Sequence, residues 1–146
     1  MSELLRSLVR VATGVFWLFF ASQKWGGVDW MRPLIEQAAA SNPIPGLQQF
    51  LAEVVVPNWH IAALGEAVGE TLAGALLVLG IAGRGAAWLG VVLALGLSAT
   101  VAFDVADVSQ RWLYYLAVIV NLGVATGGPG AIAIGRARAL SRWVSR

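Results

Sequence analysis

His60–Arg84 reads HIAALGEAVGETLAGALLVLGIAGR, and the fold follows from how those residues are shared between oil and water. About 20 mostly apolar residues suffice for a helix to cross a bilayer, and this stretch exceeds that while carrying two acids, Glu66 and Glu70, four apart. Four residues is close to one helical turn, so both carboxylates share a face. An ionised carboxylate at the centre of a membrane helix costs roughly 2.5–3.5 kcal/mol on insertion scales, so that face is expected to meet protein, water or a ligand rather than lipid. Two like charges one turn apart disfavour joint ionisation, and at least one proton is expected between them at neutral pH. A pair placed this way serves as a quinone-binding or proton-handling site, and serves equally as two buried polar groups bonded to neighbouring helices.

The rest of the composition agrees with a lipid environment. The chain has 146 residues, 58% hydrophobic and only 12% charged, with a mean hydropathy of +0.74. That balance is wrong for a water-soluble core of this size and right for an integral membrane protein of one domain. There are no cysteines and one histidine, His60. Disulfides, thiolate nucleophiles, cysteine-held iron–sulfur clusters and bis-histidine haem cannot come from this chain alone. Walker, Rossmann and catalytic-triad patterns are missing too. Any redox chemistry therefore needs a diffusible cofactor or a partner subunit. The pI near 9.7 reflects arginines set beside apolar segments, which points to membrane orientation and not to nucleic acid.

Outward from the central stretch, four spans are expected, at about 4–25, 59–83, 86–104 and 112–127. The first has VRVATGVFWLFFASQ as its body, with Arg6 and Arg10 ahead of it and Lys24 closing it. Basic residues before an apolar run also describe a signal peptide, but the aromatic body and the lack of an A-x-A site favour a retained anchor. Residues 26–58 form the long outer connection. DWMRPLIEQAAA predicts a short helix, SNPIPG breaks it, and Leu47, Phe50, Leu51, Val54 and Val55 recur at helical spacing, so two amphipathic helices are expected on the membrane surface. They form a lid over the bundle, or simply fill space.

The short GRGAA turn makes the second and third spans a hairpin. Ala86, Gly90, Ala94, Ser98 and Ala102 recur every fourth residue, and Gly65, Gly69 and Ala73 answer them, which predicts close packing of these two helices. Asn121 falls near the middle of the fourth span and is expected to bond across to another helix, with Glu70 as its partner. Residues 131–146 read as a basic amphipathic tail on an anionic leaflet. Arg6, Arg10, Arg84 and the tail arginines share one side, so both termini are placed in the cytoplasm. Trp25, Trp30, Trp59, Trp112, Tyr114 and Tyr115 then gather as an outer aromatic belt.

These residues resemble the DoxX/DoxD family of small four-helix membrane proteins, DoxD being the small subunit of thiosulfate:quinone oxidoreductase. The likeness lies in Arg10, Gly14, Phe19 and Lys24 of the first span; in Glu70, Gly74, Leu76, Leu77, Gly80 and Arg84 of the second; and in Gly128, Pro129 and Gly130 after the fourth. The outer connection looks more like the DoxD branch. The resemblance implies a four-helix bundle in the bacterial or archaeal inner membrane, tied to quinone-linked redox metabolism and working with a second polypeptide or as a homo-oligomer. It carries over Arg10, Lys24 and Glu70 as matching positions, while Glu66 rests on the physics of the acidic pair. Three readings follow. In the first the chain is the membrane subunit of a quinone-linked oxidoreductase, with Glu70 and Glu66 handling quinone protons and Arg10, Lys24 and Asn121 assisting binding. In the second it is an accessory or assembly subunit without chemistry of its own. In the third it transports protons or a small solute.

Overall fold

A computed structural model describes residues 2–127, all helix and connecting turns with no strand among them. The expected basic tail and the Gly128–Gly130 stop lie outside the described residues.

The first helix, α1 (Glu3–Trp25), starts where the Ser2 hydroxyl accepts the Leu5 N–H at 3.3 Å and stops at Gly26. Glu3 in its first turn and Lys24 in its last complement the helix dipole. Its buried residues Ser7, Arg10, Gly14, Trp17, Ala21 and Lys24 alternate steps of three and four and so form one stripe. The lid follows as α2 (Met31–Ser41) and α3 (Pro45–Phe50), the latter running into a π-helical turn at Leu51–Val55. An apolar cluster of Ala38, Ala39 and Leu51 holds the lid together, and one of Val28, Met31 and Ala63 ties it to α4. The buried Asn42 side chain adds a bond of 2.8 Å to the Ala99 carbonyl.

Helix α4 (Trp59–Leu79) is shorter than the expected 59–83. Gly80 takes the left-handed conformation, φ 71°, and its N–H returns to Leu77 O while the Ile81 N–H returns to Leu76 O, so the helix closes four residues early. Gly80–Ala82 is the turn, and α5 (Gly83–Ala99) already includes Arg84. Helix α5 also ends before the expected 104. Its final carbonyl is taken by Asn42, Thr100 leaves the helical path, and Val101–Phe103 forms a 3₁₀ turn. Helix α6 (Val108–Gly127) begins earlier than 112 because Asp107 caps it, accepting the Ser109 N–H at 2.8 Å and the Ser109 hydroxyl at 2.7 Å.

The four long helices pack in a ring, α1 on α4, α4 on α5, α5 on α6 and α6 back on α1. Many buried positions are small, as at Ala63, Ala67, Ala73 and Ala94, or polar, as at Arg10, Lys24, Glu70 and Asn121, with Trp17 and Leu77 the large apolar side chains among them. The large apolar side chains point outward, among them Phe19 on α1, Ile61 on α4, Val92 on α5 and Ile119 on α6. A protein folded in water does the reverse. Helices α1 and α4 are long and apolar enough to cross a membrane.

The close contacts differ from the expected α4–α5 hairpin. A Cβ added to Gly14 would lie 2.8 Å from Gly74 O, and one added to Gly74 would lie 2.7 Å from Leu18 Cγ, so the tightest backbone approach joins α1 to α4. The small row of α5 serves α6 and α1 instead, since Gly90 faces Asn121 Oδ1 and Trp17 Nε1.

Candidate functional site

Lys24 sits in the last turn of α1, a position that would ordinarily release its ammonium into water. Here it is only 5% exposed, because α1 crosses α4 so closely that the side chain is laid against the acidic face of that helix. Its Nζ donates to Glu70 Oε1 and Oε2, both at 2.7 Å, and lies 3.1 Å from Glu66 Oε1. Glu70 is fully buried and the Glu66 side chain 23% exposed. Four-residue spacing on one helix thus puts both carboxylates on a single cation from another. With two acids facing one ammonium, the cluster holds more carboxylates than cations in a largely apolar setting.

The cluster opens into a cavity of about 530 Å³ beneath the lid, and Lys24 and Glu66 are in its wall while Glu70 stands behind them. Apolar side chains supply most of the lining: Phe20 from α1, Met31 and Ile35 from α2, Leu51 and Val55 from the π-helical turn, Leu93 and Leu97 from α5. Polar side chains besides Lys24 and Glu66 also line it: the Thr100 hydroxyl donates to Gly96 O, whereas Gln23 and Tyr114 make no side-chain hydrogen bond to another described residue. Past Phe20, Leu97 and Tyr114 a second cavity of about 230 Å³ lies between α1, α5 and α6, with Trp17 and Ala117 in its wall. Small-molecule sites are of this kind, a few hundred cubic ångströms, largely apolar, with a few convergent polar groups.

Of the residues singled out from the sequence, the fold brings together Lys24, Glu66 and Glu70. Arg10 and Asn121 lie elsewhere. Arg10 is buried toward the other end of α1, where its guanidinium donates to Val78 O and to Leu77 O, the latter also taking the Gly80 N–H, in the last turn of α4. Of the two bases able to balance the acids, Lys24 does so. Asn121 does not reach Glu70. Its amide nitrogen returns to Ala117 O at 2.7 Å within α6, and its oxygen accepts the Trp17 indole N–H at 3.1 Å. The expected cross-helix bond forms, but the ring order places α1, not α4, beside α6. Tyr114 is the site residue that sequence reasoning missed. It stands among interfacial aromatics, where a tyrosine needs no further explanation, and only its register on α6, two residues from exposed Trp112, turns it inward.

The family model for DoxX matches residues 5–104, more than half of the chain, from the first turn of α1 through the 3₁₀ turn. The chain belongs to the DoxX family. No curated protein and no solved structure matches it. DoxX membership and the outward-facing apolar helices make this a membrane protein, in contact with lipid. The matched region holds Lys24, Glu66 and Glu70, whereas Tyr114 and Asn121 lie beyond it on α6. In this DoxX chain the acidic cluster therefore comes from the family core, and the tyrosine that faces it from outside that core.

Proposed function

We propose that this DoxX protein is the membrane subunit of a quinone-linked oxidoreductase, spanning the plasma membrane four times with both termini in the cytoplasm and binding quinone in the cavity beneath the lid. The observation that carries the reading is a buried lysine–dicarboxylate cluster opening into a largely apolar cavity. A flat ring with two carbonyls needs apolar walls and a donor at its edge, and the Tyr114 hydroxyl and Gln23 amide are donors with no bond to the described residues. When bound, a quinone supplies an acceptor for two electrons and two protons. The electrons enter from a second polypeptide, as the family resemblance implies, since this chain has no cysteine to hold a cluster.

The protons are the work of this chain. Glu66 meets the cavity, and Lys24 touches both it and Glu70, so a proton given up by Glu66 is replaced from the buried reserve at Glu70 without either acid leaving its partner. Lys24 keeps the cluster's charge low in either state. The accessory-subunit reading has one observation in its favour: Glu70 touches Lys24 and does not line the cavity.

The test is to purify the protein in mild detergent, extract its lipids and measure quinone. Bound quinone should fall several-fold in Tyr114→Phe and Glu66→Gln while thermal stability holds. Glu70→Gln should bind quinone but lose quinone-dependent turnover in the assembled complex. Absence of quinone from the wild type, together with no quenching of tryptophan fluorescence by added quinone, would favour the accessory role.

A further inference from the structure

The cavity has a gap in one wall. Helices α4 and α5 touch where a Cβ on Gly69 would lie 3.2 Å from Leu93 Cδ2. About one turn nearer the lid the wall includes two glycines, Gly65 on α4 and Gly96 on α5, both exposed and both lining the cavity. A Cβ built on either meets nothing within 4 Å. Neither has a positive φ, so neither is there for a turn, and neither allows a close helix contact. A glycine inside a helix is less favourable than alanine, so these two weaken their helices and give only open space in return. The gap is flanked on the outside by exposed Ile61, Leu64, Val92 and Leu95, an apolar surface that continues into the bilayer.

We infer that the slot between Gly65 and Gly96 holds the apolar chain of a ligand whose polar head lies beside Glu66, so that the ligand enters sideways from the membrane and not from water. The ligand class is thereby narrowed to amphiphiles with a small polar ring and a long hydrocarbon tail. The head group rests on the quinone reading above; the tail rests on the glycine gap. Leucine at either position fills the slot with apolar atoms and improves helix propensity, so the variants fold.

Two probes separate the claims, a benzoquinone with a decyl tail and the same ring with a methyl group, each titrated by tryptophan quenching against the full chain in lipid nanodiscs. Gly65→Leu, Gly96→Leu and the double variant should weaken the decyl probe by about tenfold or more and leave the methyl probe unchanged, with thermal midpoints equal to wild type. Equal effects on both probes, or none on either, would overturn the slot and leave the quinone site standing. A wild type that binds neither probe overturns the head-group reading and the slot with it.

Discussion

Lys24 is the residue on which the site turns, because it is a cation held dry by two acids from one helix. Breaking a buried ion pair from one side strands the remaining charge, which typically destabilises by about 3–5 kcal/mol. Lys24→Met should therefore lower stability by about 3 kcal/mol or more, measured by thermal unfolding in detergent. Adding Glu70→Gln to it should restore most of the loss, since no buried carboxylate then lacks a partner at that position. A Lys24→Met protein as stable as wild type would mean that water reaches the cluster. At this scale the sequence was partly legible. Two acids on one helical face and a lysine at the end of the preceding span are visible without coordinates. Which base pairs with them is not, because that depends on the register between α1 and α4. Asn121 shows the same limit: its depth predicts a cross-helix bond, but only the order of helices around the ring decides that Trp17 is the donor.

At the scale of elements, the glycines sort by what a side chain would meet. Gly14 and Gly74 hold α1 and α4 together, and any Cβ there strikes backbone. Gly74→Leu should force these helices apart, pull Lys24 off Glu70 and destabilise by about 3 kcal/mol, read by the same unfolding measurement. The row Ala86, Gly90, Ala94, Ser98 announces close packing in the sequence, but a small-residue row does not name its partner. The α4–α5 hairpin is adjacent in the chain and looked the obvious pair, whereas the intimate contacts went to α1–α4 and α5–α6. Helix ends were legible to within a turn or so, the differences arising at Gly80, at Asn42 and at Asp107, where capping depends on φ or on a remote side chain.

Asp107 also sets a pH dependence. Its carboxyl is held below the ordinary aspartate range, first by the Ser109 hydroxyl and then by the Ser109 backbone N–H. A carboxyl depressed in the folded state contributes stability that is present above its unfolded value of about 3.9 and is lost as pH falls through the folded one. The first turn of α6 should accordingly loosen on acidification from about pH 4 downward, seen as faster hydrogen exchange at 108–111 after correction for the intrinsic rate. Asp107→Asn, which keeps a capping oxygen and drops the charge, should flatten that dependence. Equal acid sensitivity in both proteins would show that the cap does not control this turn.

For the whole molecule the argument is about sides. Arg6, Arg10 and Arg84 lie at one end of the ring, where Arg10 meets the last carbonyls of α4 and the Arg84 Nε reaches Ala125 O at 3.2 Å. Arg10 and Arg84 meet helix ends, and the position of all three arginines marks the basic side of the protein. The other end holds the lid, where Lys24 is neutralised by its acids and Arg32 lies 2.8 Å from Glu36. Basic residues near span ends favour the cytoplasm, so the arginine end is expected inside and the lid outside. Helix α5 is the critical element: at 17 residues it rises about 25 Å against a hydrocarbon core of about 30 Å. It crosses only if the bilayer thins or the 3₁₀ turn completes the passage. The chain's lack of cysteine makes this directly testable. Single cysteines at Ser2, Gly85, Gln49 and Ser109 can be probed in intact cells with a membrane-impermeant maleimide. Gln49 and Ser109 should label from outside, and Ser2 and Gly85 only after the membrane is opened. Labelling of Gly85 from outside would mean that α4 does not cross as drawn, and protection of Ser109 that the α5 passage fails. Either result moves the Lys24 cluster away from a membrane-buried cavity and removes the reason to expect a lipid-soluble ligand there.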